Sequence, residues 1–347
     1  MKRIIATLLA LLLLLSGCAR QPEPETQPTA AELGSFAVHY IDVGQADCAL
    51  LECGGEYLLI DGGNREDSSL VVTYLQEQGV EELAAVICTH AHEDHVGGLP
   101  GVLAVYPTAA VYAPTNTYSS NIFDKFVYYT DQQGLEITIP QPGDTLTLGD
   151  AVGTFLGPVK SYPDTNNTSL VMNWTYGETA FLFTGDMEKE AESDMVDYWG
   201  DDAALLHADV LKVGHHGSDT SSGYRFLNAV APEYGVISVG TGNSYGHPHK
   251  EPLERLAQAE VTLLRTDLLG HILAVSDGKN VTFTWQDPGA EPTQVTQGAM
   301  TYIGNRNSHK LHAPDCGSLP KEENRVYFDT YQEAIDAGYS PCGSCLG

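Results

Sequence analysis

The sequence predicts a mixed α/β body, two mixed sheets sandwiched by helices, followed by a small separate module. Three observations predict it: short apolar strands cluster at the front, strands then alternate with helical stretches, and three of the seven cysteines fall at the far end. Residues 36–41, 49–52 and 57–60 read as strands, broken by Gly44 and by Gly54-Gly55, and Asp61-Gly62-Gly63 ends the third. Residues 70–76 have helical spacing, and 83–88 is a buried strand. Strands recur at 153–155, 169–176, 179–183, 210–213 and 236–239, with helices at 188–198, 222–229 and 252–259, and the last strands are 272–275 and 281–285. Pro288, Gly289, Pro292 and several Gln then mark a linker.

The beginning of the chain reads as a leader. Lys2 and Arg3 precede an apolar run at 4–15, which is too short for a stable membrane span, and Leu15-Ser16-Gly17-Cys18 follows. This order resembles a bacterial lipoprotein signal, which implies cleavage before Cys18, lipid on its thiol, and a cell-surface protein anchored at the outer face of the cytoplasmic membrane or secreted. The expected divisions are signal 1–17, tether 18–35, main body 36–286, linker 287–298 and module 299–347. The tether is rich in Pro, Thr, Glu and Gln.

Charge narrows the function. With 17 Lys+Arg against 46 Asp+Glu the formal net charge is −29. That excludes a broad basic face for nucleic acid, but not a metal that holds phosphate. A hydrophobic content of 42% supplies a sizeable core. The odd cysteine count excludes a framework made of disulfides alone. Cys48, Cys53 and Cys88 lie in apolar strands and read as buried small hydrophobes, with a Cys48–Cys53 bridge open to an exported protein.

The strongest chemical signal is Thr89-His90-Ala91-His92-Glu93-Asp94-His95-Val96-Gly97-Gly98, which begins where an apolar strand stops. In extended chain, residues i and i+2 project to one side, so His90 and His92 can grip one ion. Asp94 and His95 can grip a second. Downstream, an apolar strand ends at Asp186, and Leu211-Lys212-Val213-Gly214-His215-His216 repeats the design of a strand, a Gly and then His. Two ligand sets with a carboxylate between them suit a two-metal centre. Imidazole and carboxylate favour zinc, with manganese also suited. Asp42, Asp47 and Asp61 sit beside glycine or follow a turn and read as structural carboxylates.

These pieces resemble the metallo-β-lactamase fold superfamily, which implies an αββα sandwich and metal-dependent hydrolysis by a metal-bound hydroxide. More narrowly, the chain resembles the extracellular hydrolase domain of ComEC/Rec2 competence proteins through Tyr40-Ile41-Asp42-Val43-Gly44-Gln45-Ala46-Asp47-Cys48, Leu59-Ile60-Asp61-Gly62-Gly63, Asn166-Asn167-Thr168-Ser169-Leu170-Val171, and Ser238-Val239-Gly240 with Asn243 to Pro248. The resemblance spans roughly residues 35–287. Many members of the superfamily carry a further metal-binding His before the bridging Asp. Here no His lies between His95 and His207, and Asn167 and Ser169 occupy the corresponding stretch as candidate substitutes.

The expected metal ligands are therefore His90, His92, Asp94, His95 and Asp186 with one of the adjacent His215 and His216, of which His216 is favoured. His215 is left to hold substrate or shuttle a proton, and Asp94 orients the hydroxide. His247 follows a strand and can bond a phosphate oxygen or protonate a leaving alkoxide.

In the terminal module, His312, Cys316, Cys342 and Cys345 have chelating spacing for one structural zinc, with a disulfide plus a free Cys as the competing reading. Together with Tyr302-Ile303-Gly304-Asn305 they resemble small Ada-type metal-binding modules. A piece this small gains stability from a metal.

The function expected is that of an exported, lipid-anchored phosphodiesterase or nuclease acting on DNA or nucleotides, touching the membrane through its lipid alone. A hydrolase of another surface ester (phosphocholine or teichoic-acid type) or of a lactam is the second reading. A non-catalytic, metal-stabilised binding module is the third. No protein partner is inferable.

Overall fold

The computed structural model describes residues 34–293, 302–314, 316–328 and 331–346. Lys2, Arg3, Cys18 and the tether up to residue 33 lie outside the described residues.

The chain begins with β1 (Phe36–Tyr40), β2 (Ala49–Cys53) and β3 (Glu56–Ile60), then α1 (Ser68–Glu77), β4 (Ala85–Ile87), α2 (Glu93–Val96), α3 (Leu99–Val105), β5 (Val111–Tyr112), α4 (Asn121–Gln132) and β6 (Ile137–Thr138). It continues with β7 (Thr145–Leu148), β8 (Ala151–Gly157), β9 (Val171–Tyr176), β10 (Thr179–Phe183), α5 (Lys189–Trp199), β11 (Val210–Lys212), α6 (Tyr224–Val230), β12 (Tyr234–Ile237), α7 (Lys250–Gln258) and β13 (Thr262–Arg265). The body closes with α8 (Thr266–Leu269), β14 (Ile272–Ser276) and β15 (Val281–Trp285).

Eight strands form one sheet in the order β15-β14-β1-β2-β3-β4-β5-β6, and seven form the other in the order β13-β12-β11-β10-β9-β8-β7. Each sheet is parallel on one side and antiparallel on the other. β3 to β6 run parallel in the first, and β10 to β13 in the second. Phe36, Val38, Leu51 and Leu58 meet Phe155, Trp174, Phe181 and Phe183 between the sheets. The outer face of the first sheet is covered by α1, α3 and α4 through Val71, Leu75, Val102, Phe123 and Phe126. The outer face of the second is covered by α5, α6 and α7 through Met195, Phe226, Leu227 and Leu256. This is the αββα sandwich.

Three features depart from expectation. The strand expected over 83–88 narrows to β4, with Leu83 making an isolated bridge to Thr108. Residues 99–148 carry α3, α4 and short strands that the sequence reading left unassigned. Part of the expected linker is packed on the body: Trp285 Nε1 donates to Ala290 O (3.1 Å), and Thr293 N to Leu263 O (2.9 Å).

The terminal module has its own sheet, ordered β18-β16-β17-β19, from β16 (Tyr302–Asn305), β17 (Lys310–His312), β18 (Arg325–Phe328) and β19 (Ser340–Pro341), with α9 (Tyr331–Asp336) beside it. Its small core of Tyr302, Leu311, Phe328 and Leu346 also takes in Tyr224 of α6.

Candidate metal centre

The carboxyl ends of parallel strands from both sheets converge on one rim, the place where open α/β sheets gather function. After β4, Thr89 ties the His-rich loop to the end of β3: its N–H donates to Asp61 Oδ1 (2.7 Å) and its hydroxyl to Asp61 Oδ2 (2.6 Å). Thr89 O accepts from Leu170 N (2.8 Å), which joins the loop to the second sheet. The short α2 then turns Asp94 and His95 inward. Its exit needs glycine, because a Cβ on Gly98 would lie 2.0 Å from Gly62 O.

Asp186 follows β10 through Gly185, and Ser169 Oγ accepts from Asp186 N (3.1 Å). His215 and His216 follow β11 with φ of 51° and 53°, two successive left-handed residues that sterics disfavour outside glycine.

Asp186 is the centre of the arrangement. Its Oδ1 lies 3.3 Å from His95 Nε2 and 3.7 Å from His216 Nε2. Its Oδ2 lies 3.6 Å from His215 Nε2 and 3.9 Å from His90 Nε2. Asp94 Oδ2 adds to the first side, 3.3 Å from His216 Nε2 and 4.0 Å from His95 Nε2. His92 adds to the second, its Nδ1 3.1 Å from His90 Nε2. One carboxylate thus faces two ligand sets.

The donor set fits a divalent cation. His95 Nε2 and Asp186 Oδ1 are buried without a hydrogen-bond partner, and both point into the cluster. Buried polar atoms left alone are costly, and a cation satisfies both at once.

A supporting layer fixes the rings. His95 Nδ1 donates to Asp61 Oδ2 (2.8 Å), leaving Nε2 to face Asp186. His216 Nδ1 meets Ser238 O (2.9 Å) and Asp47 Oδ1 (3.3 Å), and Asp47 Oδ2 pairs with Lys212 Nζ (2.8 Å) in the interior. His215 Nδ1 meets Thr220 Oγ1 (3.1 Å) and Glu188 Oε1 (3.4 Å). Orientation of metal-binding imidazoles by carboxylates and carbonyls is the usual pattern.

The electrostatics agree with this reading. Burial opposes charge on Asp94, but His95 and His216 outweigh it and hold the carboxyl at about 2. Burial also opposes charge on His216, yet Asp186 and Asp47 push it up to about 10. Asp186 is held well below the carboxylate range against burial, chiefly by His95 and His216. Sites that hold protons this way bind a cation in their place.

Several expectations are corrected. Asn167 and Ser169 do not take the missing third-ligand place: Asn167 Oδ1 accepts from Glu188 N (3.0 Å), and Ser169 braces Asp186. His215 faces Asp186 Oδ2, beside His90, where the sequence reading left a gap. Asp47 and Asp61 are not mere turn carboxylates, since they orient His216 and His95. Asp42 does serve its turn, accepting from Gly44 N (3.0 Å).

His247 stands over the rim, its ring 5.7 Å from that of His215 and its Nδ1 3.3 Å from Gln45 Nε2. Burial, reinforced by His216 and His215, pushes it down to about 4. At neutral pH it is an uncharged imidazole, suited to bonding an anionic oxygen and poorly suited to the expected delivery of a proton.

In the terminal module the ligand atoms of His312, Cys316, Cys342 and Cys345 all lie within 4.8 Å of one another. His312 Nδ1 is 3.3 Å from Cys316 Sγ. All described cysteines are unbridged, Cys48 and Cys53 among them. One nitrogen and three sulfurs suit a closed, tetrahedral zinc site.

Comparisons with known proteins find relatives of both parts of the chain. Residues 41–241 match the metallo-beta-lactamase superfamily, and residues 296–346 match the metal binding domain of Ada. ComE operon protein 3 of Bacillus subtilis is 32% identical over 254 residues, which cover 68% of this chain and 32% of that protein. Competence protein ComA of Neisseria gonorrhoeae is 31% identical, covering 70% of this chain and 33% of its own. Recombination protein 2 of Haemophilus influenzae is 29% identical, covering 69% and 28%. The chain thus spans about a third of the length of these curated relatives. Among solved structures, the metallo-beta-lactamase fold protein YhfI of Bacillus subtilis is 17% identical, covers 72% of this chain and 99% of its own, and gives a TM-score of 0.46.

Proposed function

The chain belongs to the metallo-beta-lactamase superfamily, a fold of metal-dependent hydrolases related to competence proteins, and on that footing we propose that it is a phosphodiesterase. The observation that carries the reading is the double-faced Asp186, with His90 and His215 at one oxygen and His95 and His216 at the other. His90, His92, His215 and Asp186 would hold one ion, and Asp94, His95, His216 and Asp186 a second. When bound, such ions supply Lewis acidity that neutralises phosphoryl charge and acidifies water.

The chain's own groups divide the remaining work. Asp94 keeps 31% of its side chain exposed, against 2% or less for His95, Asp186 and His216, so it meets solvent and cluster together. Its carboxylate orients the attacking water. His247 donates from Nε2 to a phosphoryl oxygen, with Nδ1 engaged by Gln45. Thr220 and Glu188 hold His215 in place. The relatives' names, competence and recombination proteins, support a nucleic-acid substrate. Export and lipid attachment at Cys18 complete the reading, and Cys18→Ala should abolish partitioning into membranes.

The direct test is an assay panel. The chain from residue 19 onward is stripped of metal, reloaded with zinc or manganese, and offered bis(p-nitrophenyl) phosphate, single-stranded DNA, p-nitrophenyl phosphocholine and a lactam. Metal-dependent hydrolysis of the first two is expected. Turnover of the phosphocholine ester or the lactam alone transfers the assignment to that substrate. Metal uptake without any turnover leaves a binding module.

A further inference from the structure

Beside the metal centre lies a cleft of about 420 Å³, the size of a small-ligand site, lined by Arg65, His92, Glu93, Tyr118, Ser120 and Lys125 among others. His92 belongs to both, since its Nδ1 touches His90 Nε2 (3.1 Å) inside the centre. Whatever is held at the rim therefore extends naturally into this cleft.

The charges here run against those of the rest of the molecule. In a chain of net charge −29, five of the ten cations of the body are paired with carboxylates: Lys160 with Asp194, Lys212 with Asp47, Arg225 with Asp197, Lys250 with Glu254 and Arg265 with Asp267. Arg65 and Lys125 are exposed, and neither side chain makes a hydrogen bond or ion pair among the described residues. The one carboxylate on the cleft wall, Glu93, pairs with neither. Tyr118 is half-buried and packed on Phe123, with ring centroids 6.0 Å apart. Its ring stands 6.4 Å from that of His92, so a flat, firmly seated aromatic surface adjoins the candidate ligands.

We propose that this cleft binds the phosphate and base that flank the scissile bond of a single-stranded nucleic acid, with Arg65 and Lys125 on the phosphate and Tyr118 under the base. The proposal rests on the phosphodiesterase reading for its orientation, and it selects within that reading a polymeric substrate. Two unpaired cations favour a polyanion, offer nothing to a neutral lactam, and repel a choline head. Stacking on an aromatic ring accepts any base, so little sequence preference is expected.

The test measures binding apart from cleavage. Fluorescein-labelled phosphorothioate octathymidylate is titrated by anisotropy into the metal-loaded chain over a range of salt. The variants are R65A/K125A, R65Q/K125Q, Y118A and, as a control, K279A, which removes a cation at a distant cavity beside Asp209 and Glu233. Both double variants should weaken binding tenfold or more and flatten the plot of log affinity against log salt by about 0.7, the effect of one phosphate no longer neutralised on a single strand. Y118A should weaken binding without changing that slope, and K279A should match the parent chain. Double variants that bind with the parent affinity and slope overturn the proposal. In parallel, hydrolysis of bis(p-nitrophenyl) phosphate, which has no flanking phosphate, tests the phosphodiesterase reading by itself. If no metal supports that hydrolysis, that reading fails, while anisotropy still decides the cleft.

Discussion

The buried Lys212–Asp47 pair gives the sharpest test of how the centre is supported. Both side chains are at most 7% exposed, their charged atoms are 2.8 Å apart, and Asp47 carries the interaction through to His216. Burial alone would raise the Asp47 carboxyl, but Lys212 and then His216 reverse this and hold it below the usual carboxylate range. Lys212→Met keeps the length of the stem and removes the charge, leaving Asp47 with His216 as its remaining ionic partner. Breaking a buried pair from one side costs about 3–5 kcal/mol. At roughly 2–4 °C per kcal/mol, the melting temperature should fall by about 6–20 °C.

Asp47→Asn should instead act on metal binding. It keeps the shape but weakens the hold on His216, and a loss of about 10–100-fold in affinity for one ion is expected. The double variant D47N/K212M removes both charges and should be more stable than K212M alone, because neighbouring sites do not add. Urea denaturation of the metal-free chain and a competitive zinc titration measure the two effects. A K212M melt within about 1 °C of the parent, or penalties that simply add in the double variant, would refute the reasoning.

Other expectations follow from particular residues. His39 on β1 is buried against Tyr74, and burial, reinforced by His271, pushes it down to about 4. The unfolded chain takes up a proton near 6.5 that the native chain refuses, so stability falls as pH drops from about 6.5 to 4, by roughly 3 kcal/mol. His39→Gln should flatten that fall in urea titrations, and an unchanged slope would contradict the assignment. Asn167→His should not raise metal content and should lower the melting temperature, because Glu188 N loses its acceptor. Chelation should release one zinc from the terminal module and expose three alkylatable thiols, whereas a native Cys342–Cys345 disulfide found by mass spectrometry would exclude zinc there.

The sequence was most legible where structure is local. Residues 36–41, 49–52 and 57–60 alternate apolar positions with glycine breaks, and they match β1, β2 and β3 closely. The His-rich loop is six residues long, so its ligands are neighbours before folding begins. Residues 99–148 were opaque for a physical reason. α3 opens Leu99-Pro100-Gly101, which looks like a break, and Pro fits there because it occupies the first turn. α4 is rich in aromatic and β-branched residues with modest helix propensity, and the packing of Phe123 and Phe126 decides its state.

The supporting layer was hidden because topology alone brings Asp47, Asp61 and Glu188 to the rings they orient, and Lys212 to Asp47. A lysine inside the apolar run Leu211-Lys212-Val213 was the available hint, since a buried lysine needs a partner. Which way His215 and His216 face depends on two successive left-handed residues, a feature with no signature in the sequence.

The central claim is that Asp186 joins two ions, one held with His90, His92 and His215 and one with Asp94, His95 and His216. Metal stoichiometry, by elemental analysis of purified variants lacking residues 299–347 after equilibration with zinc, tests it most directly. The parent body should hold two ions. His215→Ala and His216→Ala should each lose one, and Asp186→Ala should lose both while circular dichroism stays native. Full occupancy in Asp186→Ala, or a His215→Ala body that keeps both ions at parent affinity, would contradict the shared-carboxylate centre.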